Sequence, residues 1–124
     1  MKVFLSKSSK SSKKFQVRFQ DESTIHFGAA GSSDYTIHKD THRMRRYVQR
    51  HGGVVHSATM EETDIKQLQT KMLQITRSNK ERWEFDGIKT AGFWSRWLLW
   101  SHPSLSKAIQ FIEEKFQVQI EYMT

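Results

Sequence analysis

The chain has 124 residues, enough for one domain with a single core, and no cysteine, which excludes disulfides and thiolate metal sites. No apolar run approaches the ~20 residues of a membrane span, and the apolar part of the N-terminal MKVFLSKSSKSSKKF ends at Leu5, too early for a signal peptide. A soluble intracellular protein is therefore expected, and its formal charge of +7 falls entirely within residues 1–53, which is where an anionic partner would bind.

Residues 6–14, SKSSKSSKK, offer nothing to bury, so residues 1–14 read as a flexible basic arm whose Lys13 and Lys14 can touch phosphates. From Phe15 the pattern alternates: Phe15, Val17 and Phe19 face one way and Gln16, Arg18 and Gln20 the other. After the turn residues Asp21, Glu22 and Ser23, the alternation resumes at Ile25 and Phe27. An antiparallel hairpin over residues 14–27 follows, with His26 on its polar face. The next run, GAAGSSDYT, has glycines three apart. Gly28, Gly31, Ser32 and Ser33 could form a turn that presents donors to an anion, although no phosphate-loop or dinucleotide fingerprint is complete.

Asp40 or Thr41 can cap a helix that runs to about His51, before Gly52 and Gly53. On that helix Met44, Tyr47, Val48 and His51 share an arc of about 100°, and Arg43, Arg46 and Arg50 occupy a separate arc of about 60°. One face is for the core. The other is a basic ridge that no acidic residue after Asp40 neutralises, and with Lys39 it is suited to phosphate oxygens. His38, Asp40 and His42 would lie on one face only if the helix began earlier. With Asp40 as the cap that face breaks, so neither a metal nor any other cofactor is expected. The same residues are the only basis for a phosphodiesterase reading, which lacks a set of acidic ligands, so no catalytic residue is assigned.

Residues 54–82 read as an inserted element. Within residues 63–80, Ile65, Leu68, Met72 and Ile75 form a narrow seam that either packs on the domain or associates with a second copy. Residues 83–100, WEFDGIKTAGFWSRWLLW, form an aromatic centre with Thr90 as a cap. Core packing is the favoured reading, with base stacking around Arg96 as the rival. Ser104 caps a last helix through Leu105, Ala108, Ile109, Ile112 and Phe116, and Val118, Ile120 and Tyr122 alternate as a closing strand. The fold expected is α+β. Residues 15–124 would form a single domain, in which a small antiparallel sheet, the hairpin plus the C-terminal strand, packs against three to four helices.

The runs FGAAGSSDYTIHKD and RYVQRH, with GIKTAGFWSRWLLW and PSLSKAI after them, resemble a small uncharacterised domain family of large nucleocytoplasmic DNA viruses. The resemblance covers about residues 13–53 and 82–118. In that family a basic stretch and a tryptophan follow the Arg-His pair closely, whereas here residues 52–82 intervene before Trp83. The resemblance implies a viral protein of the virion or the replication compartment and supplies no catalytic residue. Together with the charge it suggests a basic, non-enzymatic protein that binds nucleic acid, double-stranded DNA in the first instance, as a packaging component. The alternative is a minor capsid or scaffold protein that binds viral structural proteins or forms a homo-oligomer through the aromatic or inserted helix. No membrane partner is expected.

Overall fold

Alternating apolar residues bury one side of a strand and leave the other to solvent, and the hairpin follows that rule. In the computed structural model, which describes Met1–Thr124, β2 (Lys13–Arg18) pairs antiparallel with β3 (Thr24–Ala29), with Phe15 opposite Phe27 and Val17 opposite Ile25. The turn between them is held by Asp21, whose Oδ1 accepts from the Ser23 amide and hydroxyl.

Residues 1–14 are not an arm. Lys2–Lys7 forms β1, an inner strand paired antiparallel with β2 on one side, Leu5 opposite Val17, and parallel with β4 (Gln119–Met123) on the other, Val3 opposite Ile120. Val3 and Leu5 are fully buried, and these two side chains are enough to anchor a segment whose composition is otherwise that of a solvated tail. Residues 8–12 turn the chain back, with the Ser8 amide donating to the Lys14 carbonyl. The sheet order is β3-β2-β1-β4. It is therefore mixed rather than wholly antiparallel, because the C-terminal strand joins β1 and not the hairpin.

The class is α+β, with six α-helices rather than three or four because several are single turns. They are α1 (Tyr35–His38), α2 (Thr41–Arg50), α3 (Ser57–Met60), α4 (Ile65–Leu73), α5 (Ala91–Trp94) and α6 (Leu105–Phe116), and of these α5 and α6 pack most directly on the sheet. A 3-10 turn at Phe85–Gly87 precedes α5, and a π-helical turn, Ser95–Leu99, extends it. Thr90 caps α5 and Ser104 caps α6, each accepting from a backbone amide, Phe93 and Lys107 respectively. Glu113 ties α6 to the sheet by accepting from the Ile120 amide at 3.0 Å. No helix is long and apolar enough to cross a membrane.

The aromatic segment is core, as its apolar composition favoured. Trp83, Trp94 and Trp97 are buried, and their satisfied indole donors mark them as structural: Trp94 Nε1 donates to the Ile88 carbonyl at 2.6 Å and Trp97 Nε1 to that of Trp83 at 2.7 Å. Between them lies Arg96, also fully buried. Gly53, just ahead of the inserted segment, bridges Ser78 near its end, and α4 packs inward through Leu68 and Met72.

The proposed self-association seam is thereby used up. Leu68 and Met72 are completely buried and Ile75 packs against the core, which leaves Ile65, 47% exposed, as the one open member of the four. A helix of nine residues has only one stripe to bury, and here the domain takes it. Leu68→Ala is expected to destabilise the fold by about 2–5 kcal/mol in chemical denaturation while leaving the sedimentation behaviour of the folded protein unchanged. Dissociation of an oligomer by this change would instead place the seam in an interface.

Candidate nucleic-acid interface

Helix α2 begins where its carboxylate cap allows. Asp40 Oδ1 accepts from the His42 amide at 2.9 Å and from that of Arg43 at 3.2 Å. These donors, the Arg43 amide first, hold the Asp40 carboxyl below the usual carboxylate range. The cap fixes the phase of the helix. Met44, Tyr47 and Val48 go into the core, and the three- and four-residue steps then place Arg43, Arg46 and Arg50 in solvent. None of the three forms an ion pair. Arg45 points elsewhere, donating Nη1 to the Met60 carbonyl at 2.8 Å.

Arg43 and Arg50 line a hollow of about 600 Å³ between α2 and the turn that leaves β3. Lys13, Ser32 and Ser33 form its other rim, and Tyr47, Leu99 and Trp100 lie among its lining. The basic ridge and the glycine turn, separate in the sequence, thus face each other across one cavity. Arg46 lies on the ridge outside it.

Two of the expected phosphate contacts are otherwise engaged. Lys14 Nζ lies 2.5 Å from Asp34 Oδ2, with the two side chains only 14% and 3% exposed, so its charge is neutralised within the wall of the hollow. Asp34 also caps α1 by accepting from the Thr36 amide at 2.9 Å. Lys39 takes the left-handed conformation between α1 and α2, φ 58°, and its ammonium donates to the Thr36 and Pro103 carbonyls, outside the hollow.

The turn at residues 28–33 needs its glycines for different reasons. At Gly28, φ 77°, an added Cβ would lie 2.9 Å from Leu99 Cδ1, so both backbone and packing require glycine. Gly31, φ 84°, faces open space and is constrained by φ alone. As an anion cradle the turn is weaker than its composition suggests, since the Ser32 amide donates to the Ala29 carbonyl and the Ala30 amide to that of Ser12. The donors it offers are the Ser32 and Ser33 hydroxyls and the Gly31 and Ser33 amides, none of which has a partner within the protein.

An aromatic stack supports the hollow. Tyr47 lies against Trp100 at 4.3 Å and 5° and against His51 at 4.1 Å and 26°, and Trp100 meets His38 at 5.3 Å. His51 Nδ1 sits 3.0 Å from Glu81 Oε2, while Glu81 Oε1 accepts from Trp83 Nε1 at 2.8 Å. Glu81 thus bridges the His51 ring and the Trp83 indole. Glu81 was not identified from the sequence as part of a site, and Trp100 only as a member of the aromatic segment. They lie in the inserted and aromatic segments, and only the packing of those segments brings them to α2.

His38, His42 and Asp40 do not assemble a ligand set. His38 Nδ1 accepts from the Asp40 amide at 2.9 Å, its Nε2 is buried without a partner, and nowhere do three or more His, Asp or Glu side chains cluster in a way that could hold a metal ion. Burial, reinforced by the Arg43 charge and opposed by that of Asp40, pushes the His38 pKa below its ordinary value. Its neutral form is thus favoured in the folded state, a contribution present above the unfolded pKa of about 6.5 and lost as pH falls through the lower folded value. His102, depressed mainly by burial, acts in the same direction. The denaturation midpoint is expected to fall between about pH 7 and pH 5, and His38→Asn, which keeps an acceptor for the Asp40 amide, to flatten that fall. Titration of the midpoint in both proteins checks this.

A family model described as a family of unknown function (DUF5754) matches residues 3–51, the segment from β1 through α2 that carries Lys13, Arg43, Arg50 and the turn. No curated protein matches the chain, and no solved structure does. The matched segment is the basic part of the molecule, and it is similar to that family over this stretch.

Proposed function

We propose that the protein is a non-enzymatic nucleic-acid-binding protein that holds the sugar-phosphate backbone in the hollow between α2 and the residue 28–33 turn. The observation that carries this reading is the convergence of Lys13, Arg43 and Arg50, from a strand and a helix remote in sequence, on one concavity with no carboxylate paired to any of them. A merely solubilising face has no reason to be concave. Guanidinium groups bind phosphate oxygens through paired hydrogen bonds, and the serine hydroxyls add neutral donors. Contacts of this kind set position without reading bases, so binding is largely independent of sequence.

The setting we propose, a genome-packaging or virion component of a large DNA virus, rests on the resemblance of the FGAAGSSDYTIHKD and GIKTAGFWSRWLLW runs. The capsid or scaffold alternative has less to stand on. Both surfaces named for it, the tryptophan helix and the seam of Leu68 and Met72, are in the core.

The test is affinity for a short nucleic acid, single-stranded and duplex, across a salt series. If Lys13, Arg43, Arg46 and Arg50 neutralise about four phosphates, log K falls with log salt at a slope of about −3.6 on duplex or −2.8 on a single strand. Changing the three arginines to alanine is expected to reduce the steepness by about 2.7 or 2.1 respectively. No binding, or a slope near zero, overturns the proposal.

A further inference from the structure

We infer that the ligand is single-stranded nucleic acid, and that it leaves the hollow over Lys13 to continue along a second basic groove beside the β1–β2 turn. This rests on the reading of the first hollow as a phosphate site and narrows it from the duplex that charge alone suggests.

The second groove encloses about 670 Å³ and is lined by Lys7, Lys10 and Lys13, with Ile37 and Tyr122 among its apolar members. It shares Lys13, Lys14 and Asp34 with the first hollow, so the two form successive lengths of one track. Its charge is uncompensated. Asp34 is the one carboxylate in its lining and is bound to Lys14, while Lys7, Lys10 and Lys13 are exposed and make no ion pair. From Lys7 to Arg50 the track thus carries unpaired cations contributed by β1, its turn, β2 and α2.

The apolar residues decide between strands. Ile37 is 61% exposed and Tyr122 40% exposed, and the Tyr122 ring meets Phe15 at 6.5 Å and 62°, so Phe15 covers at most one face. An exposed aromatic ring and an isoleucine beside a row of lysines suit a ligand that bares bases next to its phosphates. A duplex stacks its bases inside and offers none to the tyrosine. Grooves that follow a single strand combine cations with an aromatic platform in this way.

The experiment uses the intact protein and labelled oligothymidylates of about four and about twelve nucleotides, the range one such module occupies, with a duplex and poly-glutamate as comparators. The longer strand is expected to bind at least ten-fold tighter than the shorter one and than the duplex. The Lys7→Ala, Lys10→Ala double variant should weaken the longer strand far more than the shorter and lower its salt slope by about 1.4. Tyr122→Ala should weaken the longer strand by about ten-fold, the effect of losing one stacked base. Circular dichroism establishes that each variant is folded. Equal affinity for both lengths, or no effect of the lysine variant while Arg43→Ala, Arg50→Ala still abolishes binding, overturns the track and leaves the hollow standing. Tighter duplex binding overturns the choice of strand, and equally tight poly-glutamate binding overturns nucleic acid as the ligand class. No binding by the wild-type chain to any oligonucleotide removes the underlying reading itself.

Discussion

A guanidinium with no carboxylate beside it lies at the centre of the molecule. Arg96 is fully buried; its Nη1 donates to the Trp100 carbonyl at 2.8 Å and its Nη2 to those of Met72 at 2.6 Å and Ile75 at 3.4 Å. The rings of Trp97 and Trp83 flank it, 4.4 and 5.4 Å from the guanidinium carbon. Burial draws its pKa down to about 10, which still leaves it charged at neutral pH. The charge is met instead by carbonyls at the C-terminal end of α4 and just past the π-helical turn, the negative ends of two helical segments, and by aromatic faces. One side chain thus holds the inserted segment to the aromatic segment. It also fixes the backbone at Trp100, whose ring stacks on Tyr47. Because Tyr47 shares α2 with Arg43 and Arg50, the exposed arginines are oriented from the core outward.

Much of this was legible because local physics is periodic. The hairpin follows from two alternating runs, α2 from a carboxylate that can reach two amides, and the basic ridge from counting threes and fours beside Met44, Tyr47 and Val48. The α6 helix was equally clear, since Leu105, Ala108, Ile112 and Phe116 repeat the helical period between a serine cap and a left-handed Gln117. What failed to show were pairings between distant segments. β1 looked like a tail because only Val3 and Leu5 mark it, and its place depends on β2 on one side and on Ile120 on the other. Lys14 read as a free cation because nothing local announces Asp34 as its partner. The seam of Leu68 and Met72 is equally apolar whether it meets a second copy or Arg96's neighbourhood, and the periodicity cannot distinguish the two.

The Lys14–Asp34 pair has a structural place of its own. Asp34 caps α1 and binds Lys14 at the boundary between the two grooves, where a buried carboxylate without a cation would be costly. Neutralisation at this point leaves the flanking cations unopposed, so the surface potential along the track comes from residues that do not hold the fold together. The residues proposed to bind and those that support them are therefore largely separate: the former sit on rims, and the latter, Asp34, Tyr47, Trp100 and Arg96, sit beneath them.

The parallel pairing of β1 with β4 has a kinetic meaning. The Lys2 to Gln119 register joins segments at opposite ends of the sequence, and such non-local pairing requires closing a long loop before any contact rewards it. β1, β2 and β3 can form a meander from neighbouring residues soon after they are synthesised. The outer edge of β1 then stays unpaired until residues 119–123 leave the ribosome. During that interval an inner strand of the finished sheet is an edge strand, open to pairing with another nascent chain. Lys2 and Lys7 at the two ends of β1 place like charges on that edge, and their repulsion opposes such pairing until β4 arrives.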